Sequence, residues 1–279
     1  MNGRAFVLPA SWWGAAAILV AVGVAASSCG GSNSPSSPTT PTPVPTTNAC
    51  SAITGGSGGL AILNGSECPT SNTSVAKLNL RDRFGSQSGY CTGTVISARA
   101  VLTAAHCLDG DVASVLVYTG SGDQVTASSF QIHPRYSGSG GPAYDVGIVL
   151  TSQDLGRTPI PVLFSRDGLV GEPAVLAGWG IVENGAGGAF VRAGLNTVSA
   201  VNATHLETAY SSTTSSVCYG DSGGPLLVSE NGVWAIAGVT SETSATGYNC
   251  SASTSYFASV WNADVRSFIL GLVPGAAQR

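Results

Sequence analysis

Residues 218–226 read CYGDSGGPL and present one serine, Ser222, in a run of small residues. A serine hydroxyl is a weak nucleophile at neutral pH and needs a neighbouring base, usually an imidazole that a buried carboxylate orients. Two upstream segments can supply those groups: VLTAAHC at 101–107 and YDVGIVL at 144–150. The sequence therefore predicts a nucleophilic site built from three residues: His106, Asp145 and Ser222.

In wording and in order along the chain, these segments resemble the chymotrypsin–trypsin family of serine proteases, and the resemblance extends over about residues 62–273. It implies a serine endopeptidase that acts on proteins or peptides, with His106 as general base and an acyl-enzyme on Ser222. Asp145 would orient the imidazole, and the backbone N–H groups of Gly220 and Ser222 would form the oxyanion hole. The implied fold is all-β, with two six-stranded antiparallel barrels, a cleft between them and a C-terminal helix.

The composition independently favours an all-β fold. Short runs of Val, Ile, Leu and Thr recur between clusters of Gly, Ser, Asn and Asp, a pattern typical of strands joined by turns. Only 9% of the residues are charged and Lys77 is the one lysine, which disfavours binding to nucleic acid through clustered phosphate contacts. No cofactor is expected. The acidic loop residues lack a calcium-loop spacing, so no metal site is predicted.

The N-terminus is predicted to be an export signal. Arg4 precedes an uncharged stretch whose apolar core, residues 12–26, is too short for a comfortable transmembrane helix. The stretch ends in Ala-Ser-Ser-Cys at 26–29, which is similar to a bacterial lipobox, so Cys29 is the predicted lipid-attachment site. The alternative is ordinary cleavage near Ala26, which leaves Cys29 as a free thiol.

The chain thus divides into three parts. Residues 1–28 are assigned to a signal peptide, residues 29–61 to the lipid-attachment cysteine, a Ser/Thr/Pro-rich linker and a pro-segment, and residues 62–279 to the protease domain. The composition of 30–48 cannot bury apolar area and favours extended polyproline conformations. We expect an exported monomer that is either attached to the membrane at the cell envelope through lipidated Cys29 or extracellular. We expect its partners to be protein or peptide substrates and not nucleic acid.

The cysteine count, seven, is odd. The family resemblance implies two bridges: Cys91–Cys107 and Cys218–Cys250. Setting Cys29 aside, these leave Cys50 and Cys68, which are paired by elimination. A Cys50–Cys68 bridge would keep the pro-segment attached to the protein after cleavage.

The resemblance also implies a mature N-terminus inside the chain. Residues 61–65 read AILNG and are similar to the point at which proteases of this family are cut. The new ammonium of Ile62 would pair with the buried carboxylate of Asp221 and order the oxyanion loop. Residues 53–56, ITGG, also look like a mature start, but they lie too far from His106 and rank second.

Alignment on the Ser222 motif implies which residues shape the specificity pocket: Ser216, Val217, Ser241, Thr243 and Ser255. Ser216 stands at the base, where trypsin-like members carry a carboxylate, so strong preference for Arg or Lys is not expected. Thr243 and Ser255 narrow the walls. Such a small, mostly apolar pocket resembles that of elastases and predicts cleavage after Ala, Val or Leu.

Two other functions compete with this one. A protease-fold surface protein could bind partners without cutting them, but such members usually lose a triad residue, and none is lost here. An esterase could use the same triad. The Gly-x-Ser-x-Gly pattern at 220–224 is shared with α/β-hydrolases, whose chain order is Ser, Asp, His, whereas the order here is His, Asp, Ser.

Other conspicuous residues receive structural interpretations. His133 and His205 are predicted to be turn or surface residues, and Trp179 to pack rather than to take part in catalysis. Residues 262–273 begin with a capping residue, Asn262, and carry an apolar face, which predicts the C-terminal helix.

Overall fold

The structure is a computed structural model that describes residues 49–54, 64–122, 124–138, 141–182, 187–246, 250–251 and 253–279. The predicted signal peptide, Cys29, most of the linker and Ile62 lie outside the described residues. Within the described ranges, no helix is both long and apolar enough to cross a membrane.

The described residues form two α-helices, α1 (Ser51–Thr54) and α2 (Ala263–Leu272), and a single 3-10 turn, Thr70–Asn72. The strands are β1 (Ser66–Glu67), β2 (Val75–Arg81), β3 (Gln87–Ser97), β4 (Ala100–Thr103), β5 (Ser114–Tyr118), β6 (Val125–Ile132), β7 (Gly147–Thr151), β8 (Pro173–Gly178), β9 (Arg192–Val201), β10 (His205–Ala209), β11 (Pro225–Glu230), β12 (Val233–Thr243) and β13 (Thr254–Ser259).

The first six-stranded barrel closes in the order β2-β3-β4-β7-β6-β5, with every pair antiparallel. Its strands are rich in Val, Ile and Leu, whose branched side chains pack well on a pleated surface. Residues such as Leu78, Val101 and Ile148 are fully buried inside it. Closure leaves no free strand edge to pair with another chain.

The second barrel closes in the order β8-β9-β10-β13-β12-β11, and the short strand β1 extends it at β9. Trp179 follows β8 and is fully buried, and its Nε1 donates to the carbonyl oxygen of Val75 in the first barrel at 2.9 Å. Truncation of such a side chain to alanine typically costs about 3–5 kcal/mol. The predicted two-barrel architecture is confirmed, and Trp179 has the packing environment that was expected of it.

The C-terminal helix is also confirmed. Asn262 caps α2, because its side-chain oxygen accepts from the backbone N of Asp264 at 3.0 Å and of Val265 at 3.4 Å. Helix α2 packs on His133, whose ring meets Phe268 edge-on at 5.0 Å. His133 lies at a turn, which agrees with the prediction of a turn or surface position, and it is buried, because Phe268 and stacked Tyr144 leave it only 2% exposed.

Residues 49–54 belong to the folded body, although the sequence assigned them with the rest of 29–61 to a linker and pro-segment. Cys50 and Ile53 are buried, and the backbone N of Ser74 donates to the carbonyl oxygen of Ile53 at 3.0 Å. Disulfide Cys50–Cys68 holds the segment in place, with a Cα–Cα distance of 5.4 Å. A cut before Ile53, the second-ranked mature start, would disrupt this packed turn of helix.

Candidate active site

The barrel strands bring His106 and Asp145 together. Strand β4 pairs antiparallel with β7, and Thr103 at the end of β4 lies opposite Gly147 at the start of β7. His106 is three residues beyond the end of β4 and Asp145 is two residues before the start of β7, so both chain segments leave the barrel at the same point. The site therefore follows from strand register.

Asp145 holds the imidazole of His106 in one orientation. Its Oδ2 lies 2.8 Å from His106 Nδ1, and its Oδ1 accepts from the backbone N of His106 at 2.9 Å. Ser241 of β12 donates its hydroxyl to Oδ2 at 2.6 Å. Because a carboxylate accepts only, Nδ1 carries a proton, and the other ring nitrogen, Nε2, is left to act as a base. The contribution of Ser241 was missed from the sequence, which placed it only in the pocket.

Ser222 lies in a loop that is fixed by backbone hydrogen bonds to both barrels. Its carbonyl oxygen accepts from Thr92 N in β3 at 2.8 Å, and the next residue, Gly223, donates to Thr240 O in β12 at 2.8 Å. Sγ of Cys107 lies 3.7 Å from His106 Nε2 and 3.7 Å from the carbonyl oxygen of Ser222. Sγ of Cys107 thus contacts both the histidine ring and the serine loop. Between these two described residues, no hydrogen bond joins Ser222 Oγ to His106 Nε2.

Two backbone N–H groups beside Ser222 are available to a substrate. Within the described residues, the N–H groups of Gly220 and Ser222 donate to no acceptor. Thr92 Oγ1 donates to the carbonyl oxygen of Gly220 at 2.8 Å and fixes the orientation of that peptide group. Gly220 has φ +91° and a Cβ there would lie 2.5 Å from the Tyr90 ring, so only glycine fits. The pair has the form of an oxyanion hole.

Asp221 is buried between these two residues. Its Oδ1 accepts from Gly180 N and its Oδ2 from Cys218 N, each at 2.8 Å. Burial raises the pKa of Asp221 from 3.8 to about 6, although both hydrogen bonds and the charge of Arg192 act in the opposite direction. The predicted partner of this carboxylate, the ammonium of Ile62, falls on a residue outside the described ranges.

A cavity of about 230 Å³ opens beside Ser222. Val217, Ser241 and Thr243, three of the predicted pocket residues, line it. The other two, Ser216 and Ser255, are not among its described lining residues. They are buried, and their hydroxyl oxygens lie 3.1 Å apart.

Two further residues, one in the buried hydroxyl cluster and one in the cavity wall, were not assigned a role from the sequence. Ser253 Oγ lies 3.2 Å from Ser216 Oγ and completes a buried cluster of hydroxyl groups. Glu242 lines the cavity with an exposed side chain, and its Oε2 accepts from Gly141 N at 3.4 Å. The contact between Ser253 and Ser216 joins residues that are 37 positions apart in the sequence, so no local pattern encodes it. In the sequence, Glu242 was visible only as a departure from the residue that the family usually has at this position.

The described residues contain one group with metal-ligand atoms close together, which consists of Cys91, Cys107 and His106, with these atoms within 4.8 Å of one another. The two sulfur atoms form a disulfide. A bonded sulfur is not a thiolate, and the thiolate is the form of cysteine that binds metals. The third described bridge, Cys218–Cys250, lies at the cavity wall. These three bridges are the pairs that were named from the sequence.

Comparison with known proteins agrees with this geometry. The family model described as Trypsin matches residues 62–264, well over half of the chain. "Chymotrypsin-like elastase family member 1" of Bos taurus is 25% identical over 224 residues, which are 70% of this chain and 84% of that protein. "Serine protease Hayan" of Drosophila melanogaster is 30% identical over 213 residues, which are 61% of this chain but only 32% of Hayan.

The solved structure of HL collagenase shares the fold, with a TM-score of 0.63 at 24% identity, and the match covers 76% of this chain and all but 1% of that one (99%). The matched family, the two closed barrels and the contact between Asp145 and His106 are mutually consistent. The chain therefore belongs to the trypsin family of serine endopeptidases.

Proposed function

We propose that this protein hydrolyses peptide bonds through an acyl-enzyme on Ser222, with His106 as general base and Asp145 as the carboxylate that orients it. The observation that carries the proposal is the pair of contacts from Asp145 to Nδ1 and to the backbone N of His106, at 2.8 and 2.9 Å. This arrangement leaves Nε2 as the only ring nitrogen that can accept a proton.

The reaction follows from these groups. As Ser222 Oγ attacks the substrate carbonyl, Nε2 of His106 takes the hydroxyl proton, and the N–H groups of Gly220 and Ser222 stabilise the oxyanion. The C–N bond then breaks and the imidazolium gives its proton to the leaving amine. A water molecule repeats the sequence, which releases the acid and the free serine. The charge of Asp145 stabilises the imidazolium at each step.

The cavity supports a preference for small apolar residues before the scissile bond. Its volume is about 230 Å³, Val217 lines it, and no carboxylate occupies the buried hydroxyl cluster of Ser216 and Ser255. Thr243 forms part of the cavity wall. Each misfit methylene group costs only about 1–3 kcal/mol, so the preference for Ala, Val or Leu is graded rather than absolute.

We extend the proposal to synthesis as an exported precursor that is cut between Ala61 and Ile62. The buried carboxylate of Asp221 supports it, because burial raises its pKa to about 6 even with the charge of Arg192 acting to lower it, so a further positive charge would be favourable there. Ala61 is itself a small residue before the cut, so self-cleavage agrees with the proposed pocket.

We also propose that Cys29 is lipidated. Incorporation of labelled palmitate tests this, and it should disappear in Cys29→Ala.

One observation favours the alternative, a protease-fold surface protein that binds without cutting. Ser222 Oγ and His106 Nε2, both described, are not hydrogen-bonded to each other. Catalytic hydrogen bonds are often long before substrate binds and tighten only in the complex, so the distance between these groups does not outweigh the intact triad and oxyanion hole.

The experiment is hydrolysis by the full chain of matched peptide p-nitroanilides that end in Ala, Val, Leu, Phe, Arg or Asp. We expect turnover after Ala, Val and Leu, little after Arg or Asp, and none in Ser222→Ala. Parallel ethyl esters separate an esterase, which would turn over the esters and leave every anilide intact. Binding of a peptide without hydrolysis of either series would establish the alternative.

A further inference from the structure

Arg192, the first residue of β9, is a buried cation in the wall of the second barrel. It is 9% exposed, and its Nη2 donates to Oε1 of Glu67 at 2.8 Å. Its Nη1 is buried and has no hydrogen-bond partner among the described residues. A guanidinium stays charged at every physiological pH, and the ion pair with the half-exposed Glu67 leaves the buried Nη1 of Arg192 without an acceptor in the described part of the chain.

Strand register places a second carboxylate, that of Asp221, near Arg192. Arg192 lies directly opposite Gly178 in the β8–β9 ladder. Opposite residues in such a ladder point to the same face, with Cβ atoms about 4.5–5.5 Å apart. The carboxylate of Asp221 fills the space that a side chain on Gly178 would take, because a Cβ there would lie 2.1 Å from Asp221 Oδ1. Arg192 and Asp221 are therefore neighbours across a glycine.

Among the described residues, a tyrosine packs beside Gly220 and a lysine lies over its ring. Tyr90 of β3 packs against Gly220, and burial raises the pKa of its phenol, with Asp221 acting in the same direction and Arg192 against it. Lys77 of β2 lies over the Tyr90 ring, 4.4 Å from its centroid, and donates to Gly188 O at 2.7 Å. Arg192 is the cation whose charge acts on Asp221, and it lowers the pKa of that carboxylate.

We propose that Arg192 is a built-in counter-ion that holds Asp221, and with it residues 218–222, in the catalytically competent arrangement while Ala61 and Ile62 are still joined. Arg192 acts through Asp221 and is a positioning residue. In the intact chain the N–H groups of Gly220 and Ser222 are already without a protein acceptor among the described residues, as an oxyanion hole requires.

This inference rests on the proposed function of Ser222 and deepens its regulation. Cleavage before Ile62 then increases an activity that already exists, because the new ammonium adds a second positive charge at Asp221. A precursor of this kind can begin its own processing, since the uncut chain retains turnover at the small residue Ala61.

The test uses the full chain with Ile62→Pro, which blocks cleavage at that bond. We expect p-nitroanilide turnover within roughly 10²-fold of the cleaved enzyme, the scale of one oxyanion-hole donor. Adding Arg192→Gln should lower kcat by a further roughly 10²-fold with KM little changed, whereas Arg192→Lys should retain most of the activity. Glu67→Gln is the matched control, because it removes the charge of the carboxylate that is ion-paired with Arg192 and leaves the charge of Arg192 in place.

Two readouts separate this role from a merely structural one. Arg192→Gln in the cleavable chain should regain activity after the cut, because the Ile62 ammonium supplies the missing charge, and this rescue shows that the variant folds. That rescued activity should fall above about pH 8, where an α-amino group loses its proton, whereas the uncut enzyme with Arg192 should keep its activity towards about pH 10.

If the cleaved wild type hydrolyses the p-nitroanilides and the Ile62→Pro chain does not, the inference is overturned and the proposed function stands. Equal turnover by Ile62→Pro with and without Arg192→Gln would also overturn it. Silence of the cleaved wild type on every substrate would reject the proposed function, and the inference with it.

Discussion

Asp145 contacts His106 at two points, since Oδ2 lies 2.8 Å from Nδ1 of the ring and Oδ1 accepts from the backbone N at 2.9 Å. The carboxylate is 2% exposed, so both contacts are shielded from water. Ser241 donates a third hydrogen bond to it from the second barrel at 2.6 Å. The orientation of the general base thus depends on side chains from both barrels.

Asp145→Asn should lower kcat by about 10⁴-fold, because an amide can donate to Nδ1 and so favours the wrong tautomer of His106. The measurement is kcat on the best p-nitroanilide, with circular dichroism to show that the fold is retained. Ser241→Ala is the graded comparison and should cost roughly 10–100-fold, the scale of one hydrogen bond to a charged group. Asp145→Asn within tenfold of the wild type would contradict the role assigned to this carboxylate.

Gly220→Ala should lower kcat by about 10²–10³-fold, because φ is +91° and the new methyl group would lie 2.5 Å from the Tyr90 ring, which displaces an oxyanion N–H. Gly271→Ala is the matched control. Gly271 lies in α2 with nothing within 4 Å of its virtual Cβ, so this change should leave kcat unchanged and stabilise the helix by about 1 kcal/mol. Equal kcat in the two variants would remove Gly220 from the site.

Thr243→Gly should widen the cavity and shift selectivity towards larger residues before the scissile bond. The ratio of kcat/KM for Phe over Ala substrates should rise by roughly 10–200-fold, as expected when a few methylene groups are accommodated. Thr197→Gly makes the same substitution at an exposed position of β9 and should leave this ratio unchanged. An unchanged profile in Thr243→Gly would mean that this wall does not limit the substrate.

Asp221 should make the stability of the uncut chain depend on pH. Because the pKa of Asp221 is about 6 in the folded state against 3.8 ordinarily, the folded state retains a proton that the unfolded chain has already released. This contribution to stability is complete below about pH 3.8 and is lost as pH rises through about 6, a change of about 3 kcal/mol.

The pH effect is measured by urea unfolding at pH 4 and pH 7 in a Ser222→Ala background, which keeps the chain uncut. Asp221→Asn should gain about 2 kcal/mol relative to Asp221 on going from pH 4 to pH 7, because part of the total change has already occurred at pH 4. A difference between the two proteins that is the same at both pH values would show that the carboxyl group is not perturbed by burial.

The sequence predicted the elements whose residues carry their own local signal. The barrels follow from short apolar runs between turn residues, and Asn262 marks the start of α2 because a capping side chain acts within its own turn. His106, Asp145 and Ser222 were named because their three segments resemble the motifs of the family, and nucleophilic catalysis requires those residue types.

The remaining features depend on contacts between distant segments, which no local pattern encodes. Ser241 and Asp145 are 96 residues apart, and the Arg192–Asp221 relationship exists only through the register of Gly178 in a strand pair. The burial of Ile53 follows from a disulfide and a hydrogen bond to Ser74. A composition-based assignment of 29–61 could not distinguish residues 49–54 from a linker.

The central claim is that Ser222 is an activated nucleophile. The direct measurement is to treat the full chain with a fluorophosphonate probe, digest it and locate the adduct by mass spectrometry, with Ser222→Ala as the control. We predict one adduct, on Ser222, that is absent in Ser222→Ala and strongly reduced in His106→Ala. A folded chain that has been cut before Ile62 and acquires no adduct would contradict the account. An adduct that forms equally in Ser222→Ala would also contradict it.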